Sequence, residues 1–102
     1  MKFAPVLIAV TALLSAPAFA NKELASQKAC MACHAVDKKL VGPAYLDVAK
    51  KYAGNKDAQA NLIASIRKGG SGKWGPIPMP AQAGLSDAEA ATLAAWILAG
   101  AK

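Results

Sequence analysis

Apolar positions follow two different patterns along this chain. From Ala4 to Leu14, and again at Ala18, Phe19 and Ala20, they are almost continuous behind a basic start at Lys2. A charged start, an apolar run and an A-x-A end predict a secretory signal peptide over 1–20, cleaved after Ala20. Pro5, Pro17 and the shortness of the run oppose a membrane span. A single domain, 21–102, is expected to remain.

Beyond Asn21 the apolar residues recur at helical spacing, which predicts four helices and no strand. The first runs from about Lys22 through Ala29 into a cysteine-containing segment, anchored by Leu24. The second follows Gly42 and Pro43, with the proline at the first helical position, and aligns Tyr45, Leu46, Ala49 and Tyr52 before Gly54. The third opens at Asp57 as N-cap, turns Leu62, Ile63 and Ile66 inward and ends at Gly69 and Gly70. In the fourth, Ser86 and Glu89 spell a capping box and Leu85 can staple onto Ala90. Leu93, Ala94, Trp96 and Ile97 then supply a buried stripe up to Gly100.

Between the last two helices, Pro76, Pro78 and Pro80 alternate with other residues. Each fixes its φ and lacks an amide donor, so neither a helix nor a central strand can pass through, and an ordered loop is expected.

Composition sharpens this picture. The 102 residues carry 12 Lys plus Arg and 6 Asp plus Glu, a net charge of +6, and losing Lys2 with the leader makes it +5. Both phenylalanines, Phe3 and Phe19, leave as well, so Tyr45, Tyr52, Trp74 and Trp96 are the only aromatics of the domain. A domain this small buries too little of its own surface to be robust, and natural solutions add a disulfide, a metal or a large cofactor. An all-α domain of four helices wrapped around something is therefore expected.

Both cysteines and the only histidine fall in one window, Cys30-Met31-Ala32-Cys33-His34. C-x-x-C-H is the attachment signature of c-type haem. Sulfurs at i and i+3 on one helical face can form thioethers to the two vinyl groups of one porphyrin, while the next residue offers an imidazole to the iron. A thioredoxin-like disulfide would need a βαβ pattern that is absent, and a structural zinc would need four ligands where three are available. His34 needs a neutral ligating nitrogen, and its other nitrogen should donate to a carbonyl at or near Pro43.

What fills the sixth iron position decides between electron transfer and ligand chemistry. Met31 is pinned inside the attachment motif, whereas Met79 sits on the proline loop, whose stiffness lowers the cost of presenting a thioether. Ligated, Met79 would leave the iron only an electron to gain or lose. If it merely fills space, the domain is a five-coordinate haem protein suited to gas binding or peroxidase chemistry. Trp74 reads either as a packing residue or as a buried indole with an acceptor.

The residues Cys30–His34, V-G-P-A-Y at Val41–Tyr45, W-G-P-I-P-M-P at Trp74–Pro80 and the stripe Leu93–Leu98 resemble a small bacterial class I cytochrome c of the kind that donates electrons to periplasmic nitrite reductases and oxidases. The resemblance covers essentially all of 21–102 and implies the class I cytochrome c fold. It also implies one haem c attached through Cys30 and Cys33, axial ligands His34 and Met79, the Pro43 carbonyl as acceptor for His34, and an indole N–H of Trp74 on a haem propionate. Two positions depart from some members: Ser65 stands where an arginine can reach a propionate, with Arg67 two places on, and Gln82 stands where an asparagine lies near the sulfur.

Lysines such as Lys28, Lys38, Lys39, Lys50, Lys51, Lys56, Lys68 and Lys73 either keep the surface solvated or form a ring that steers docking onto acidic patches of redox partners. The resemblance points to a periplasmic nitrite reductase, a terminal oxidase or a membrane cytochrome complex. Nucleic acid is not an expected partner, because no basic helix carries interleaved aromatics. Gly70, Gly72 and Gly75 match G-x-G-x-x-G, but no strand precedes them and prolines follow, so no nucleotide cradle is expected. The expected molecule is a monomeric electron carrier of the periplasm, not an enzyme and not inserted in a membrane.

Overall fold

The computed structural model describes residues 18–102. Four α-helices follow one another: α1 (Ala18–Gln27), α2 (Tyr45–Lys51), α3 (Ala58–Lys68) and α4 (Asp87–Leu98), with a 3-10 turn at Cys30–Ala32 after the first. Among the described residues there is no strand, only an isolated antiparallel bridge between Gly70 and Met79. Most of the expected leader, 1–17, lies outside the described residues, and the expected cleavage point falls within α1.

The organising element is α4, against which α1, α2 and α3 all pack. It is the most apolar of the helices and buries Ala90, Leu93, Ala94, Trp96 and Ile97. Complete burial of one such side chain, Leu93, is worth about 1.5–3 kcal/mol. Its ends are fixed locally. The Ser86 hydroxyl accepts from the Glu89 amide at 3.1 Å and the Glu89 carboxylate accepts from the Ser86 amide at 3.1 Å, which is the expected capping box. At the other end Gly100 donates to Ile97 and Ala101 to Trp96, the paired bonds of a Schellman motif.

The remaining helices contribute one face each. From α3 come Ala58, Leu62 and Ile66, spaced by four, with Ile63 half-buried. Tyr45, Val48 and Tyr52 line the inner side of α2 and its end, so Val48 takes the inward place expected of Leu46 and Ala49. Asp57 is the N-cap by position, yet its side chain does not cap. Instead the Asn55 carboxamide oxygen accepts from the Asp57 amide at 2.8 Å.

Two expected boundaries are corrected. The first helix does not run into the cysteines: it stops at Gln27, and Ala29 adopts a left-handed conformation with φ 61° before the 3-10 turn begins. For a residue with a Cβ this conformation costs about 1–2 kcal/mol, and here it re-aims the chain so that the cysteine segment leaves the axis of α1. Pro43 is not the first helical residue either. Ala44 is the N-cap, and Pro43 stands just outside α2, which has consequences for the carbonyl it carries.

Candidate functional site

The cysteine segment is a compact turn stitched to the start of α2. The amides of Cys33 and His34 both donate to the Cys30 carbonyl, at 3.2 and 3.0 Å. From the loop that follows, the Ala35 and Val36 carbonyls accept from the amides of Tyr45 and Leu46, at 3.0 Å each. These two amides belong to the first turn of α2 and have no partner within the helix, so the loop after His34 caps α2 and each holds the other in place. The Gly42 amide closes the circuit by donating a hydrogen bond to the Cys33 carbonyl at 2.7 Å.

The orientation of the His34 ring follows from these contacts. Its Nδ1 lies 2.8 Å from the Pro43 carbonyl oxygen. Since a carbonyl can only accept, Nδ1 must carry the proton, and in a neutral imidazole Nε2 then keeps its lone pair. Tyr45 stacks on the same ring at 5.1 Å and 17°, and Trp96 meets Tyr45 edge-on at 5.5 Å. The third side is backbone. A Cβ on Gly42 would stand within 2.8 Å of His34 Nδ1, so only glycine fits there.

Met79 reaches the site on the proline loop, and backbone pairing fixes its register. Its amide donates to the Gly70 carbonyl at 2.7 Å, and its carbonyl accepts from the Gly70 amide at 3.0 Å. Gly69, with φ 69°, makes that approach possible, because a Cβ there would press on the Met79 carbonyl and lie 2.8 Å from the Ala81 nitrogen. The Gln82 amide ties the far end of the loop to the Ile66 carbonyl at 3.0 Å. Met79 itself is half-buried and packs against the core cluster.

These pieces enclose one cavity of about 400 Å³, a size suited to an organic cofactor. All six residues singled out in the sequence, Cys30, Cys33, His34, Pro43, Trp74 and Met79, line it. Leu62, Ile66, Leu93 and Ile97 are also on its wall, so most of the lining is apolar. An apolar cavity with two thiols, one imidazole and one thioether presents the donor set of a covalently tethered iron porphyrin. Among the described residues no three His, Cys, Asp or Glu side chains are grouped to hold a bare metal ion.

The Cys30 thiol does not have the character of a redox thiol. Cys30 and Cys33 are free, and burial pushes the Cys30 thiol up, although hydrogen bonds from Tyr45 and from the backbone oppose the shift. A reactive dithiol needs the opposite, a depressed pKa in electropositive surroundings. Burial first, and then the neighbouring thiols, also raise the Tyr45 phenol above its ordinary range.

Of the departures noted in the sequence, Ser65 lines the cavity, whereas Arg67 and Gln82 lie away from it. Arg67 pairs with Asp87 at the start of α4, and Gln82 does not line the site. Lys28, close to the motif in sequence, is paired with Glu89 at 3.8 Å. Gly42, Gly69 and Tyr45 were not expected to shape the site. A glycine's steric role is visible only once its neighbour is known, and Tyr45 read simply as core.

Known proteins are similar to this chain in sequence and in fold. The family described as cytochrome c matches residues 20–101. Cytochrome c-552 of Hydrogenobacter thermophilus is 59% identical over 93 residues, covering 91% of this chain and 93% of that protein. Cytochrome c-551 of Pseudomonas aeruginosa is 52% identical over 94 residues, covering 90% and 89%. Among solved structures, cytochrome c552 of Nitrosomonas europaea superposes with a TM-score of 0.75 at 50% identity, over 76% of this chain and 96% of that one. The class 1 cytochrome MtoD of Sideroxydans lithotrophicus does so with a TM-score of 0.68 at 32% identity, over 81% and 95%.

Proposed function

The chain belongs to the cytochrome c family, and from that membership we propose that it carries single electrons in the bacterial periplasm with its iron held by His34 and Met79. It has the class I fold, it is an electron-transfer protein and not an enzyme, and it carries one haem c attached through Cys30 and Cys33. When bound, that group supplies an iron atom able to exist as Fe(II) or Fe(III).

The chain's own residues set the conditions. His34 presents Nε2 unprotonated because Pro43 holds the proton on Nδ1. Met79 offers a soft, neutral sulfur, which favours Fe(II) relative to an anionic ligand and raises the potential. Trp74, at the cavity mouth, has an indole N–H to give to a propionate. Residues 1–20 act as a leader removed on export, and 21–102 work as a monomer. The observation that carries this reading is the convergence of both thiols, the imidazole and the Met79 thioether on one cavity.

A basic cavity rim supports docking onto acidic patches of redox partners, of which a nitrite reductase, a terminal oxidase and a membrane cytochrome complex are the candidates. Attraction of this kind speeds encounter and weakens with salt. No helix among the described residues is long and apolar enough to cross a membrane.

The test is a pair of spectra of the purified protein. A near-infrared sulfur-to-iron band in the oxidised form is the expected result. Rapid carbon monoxide binding by the reduced protein, with no such band, would overturn the ligand set in favour of a five-coordinate haem used for gas binding or peroxidase chemistry.

A further inference from the structure

The cavity combines an apolar wall with a rim that carries one sign of charge. Lys39, Lys68 and Lys73 line it, and no aspartate or glutamate does. Among the described residues the ion pairs are Lys28 with Glu89 and Arg67 with Asp87, so none of the rim lysines is neutralised.

Lys73 differs from the other two because it is held. Its ammonium donates to the Ser65 hydroxyl at 3.3 Å, and Ser65 is itself half-buried in the cavity wall. From α2 the Lys51 ammonium donates to the Lys73 carbonyl at 3.2 Å and lies 4.6 Å above the Trp74 ring. The peptide that carries Lys73 and Trp74 is thereby fastened to two helices at once. A long cationic side chain ordinarily keeps its freedom in water, and holding it costs rotamer entropy. Holding one cation beside others, with no acid to match, makes physical sense where an anion completes the site.

We infer that Lys73 is a cofactor-binding residue that receives a carboxylate of the haem at the cavity mouth, positioned for it by Ser65 and by the Lys51–Trp74 stack. This rests on the reading of a single covalent haem, whose only charged side groups are its two propionates. Lys51 from α2 stands beside Lys73, and the other charged residues of the cavity wall, Lys68 at the end of α3 and Lys39 in the loop before α2, are also cations. A carboxylate placed among them is kept ionised, because a nearby opposite charge favours the charged form.

The experiment is the midpoint potential of the holoprotein measured across pH, for the natural chain, Lys73→Gln, Lys73→Arg, Ser65→Ala and the charge-matched control Lys39→Gln. Where a propionate titrates, the potential bends with pH. Lys73→Gln should move that bend upward by about one pH unit, a tenfold change in proton affinity. Lys73→Arg should restore it, Ser65→Ala should give a smaller upward move, and Lys39→Gln should displace the whole curve without moving the bend. A Lys73→Gln bend that coincides with that of the natural chain, or a Lys39→Gln bend that moves as far, would overturn the inference while leaving the haem protein intact. Absence of acid-stable haem from the natural chain would overturn both this inference and the function it rests on.

Discussion

His34 Nδ1 donates to the Pro43 carbonyl at 2.8 Å, and it can do so because α2 begins two residues later than the proline alone suggests. Were Pro43 the first helical residue, its carbonyl would accept the Asp47 amide. Instead Ala44 accepts that amide at 3.0 Å and the Val48 amide at 3.1 Å, which leaves Pro43 free to orient the imidazole.

Gly42→Ala tests this arrangement. The added methyl would stand within 2.8 Å of His34 Nδ1 with little room to yield, since Tyr45 stacks on the same ring. Overpacking of this kind costs about 1–3 kcal/mol. We expect covalent haem to persist, the denaturation midpoint to fall, and the absorption and electron-spin spectra to show a displaced or mixed axial environment. Spectra superposable on those of the natural protein would refute the steric role of Gly42.

Met79→Ala should leave the haem attached through Cys30 and Cys33 but remove the thioether band and allow carbon monoxide to bind quickly. Because Met79 is half-buried, the loss of packing should cost about 1–3 kcal/mol, less than the ~2–5 typical of a core methionine. A surviving sulfur-to-iron band would exclude Met79 as the ligand.

Gly69→Ala reaches the same ligand through the backbone. At φ 69° an alanine costs about 1–2 kcal/mol, and its methyl would collide with the Met79 carbonyl and with Ala81. The expectation is a weakened Gly70–Met79 pairing and a thioether that leaves the iron at lower temperature or milder denaturant than in the natural protein. This is checked by following the near-infrared band through a thermal ramp.

The α4 capping box makes a prediction about pH. The Ser86 backbone amide holds the Glu89 carboxyl below its ordinary range; slight burial opposes this, and the Lys28 ammonium adds to the lowering. A carboxyl more acidic when folded than when unfolded contributes stability that is present above its unfolded pKa and is lost as pH falls through the folded one. Glu89→Gln should therefore be less stable than the natural chain at pH 7, and the difference should close below the ordinary carboxylate range near pH 4. Ser86→Ala should cost about 0.5–2 kcal/mol. Urea midpoints at pH 7 and pH 3 measure both.

Cysteine spacing and the proline loop were enough to single out Cys30, Cys33, His34 and Met79, because each is a local pattern with a physical reason for its spacing, whereas the part of Trp74 came only from the family resemblance and those of Gly42, Gly69 and Tyr45 were not legible. The capping box was equally legible, since Ser86 and Glu89 recognise each other within one turn. The break at Ala29 was not, because alanine is the best helix former and nothing in its own chemistry announces a left-handed residue. Only the demand that the cysteine segment leave the line of α1 explains it.

From the chain alone follow the helical class, a size at which a disulfide, metal or cofactor commonly reinforces the core, and the attachment of haem at Cys30 and Cys33. They follow because hydrophobic period, chain length and thiol spacing are properties of the sequence itself. Tertiary structure decided how His34 is turned, why residues 42 and 69 must be glycine, and which lysine is held at the cavity mouth. Those depend on distances between segments far apart in sequence, which come into being only when α4 gathers the other helices around it.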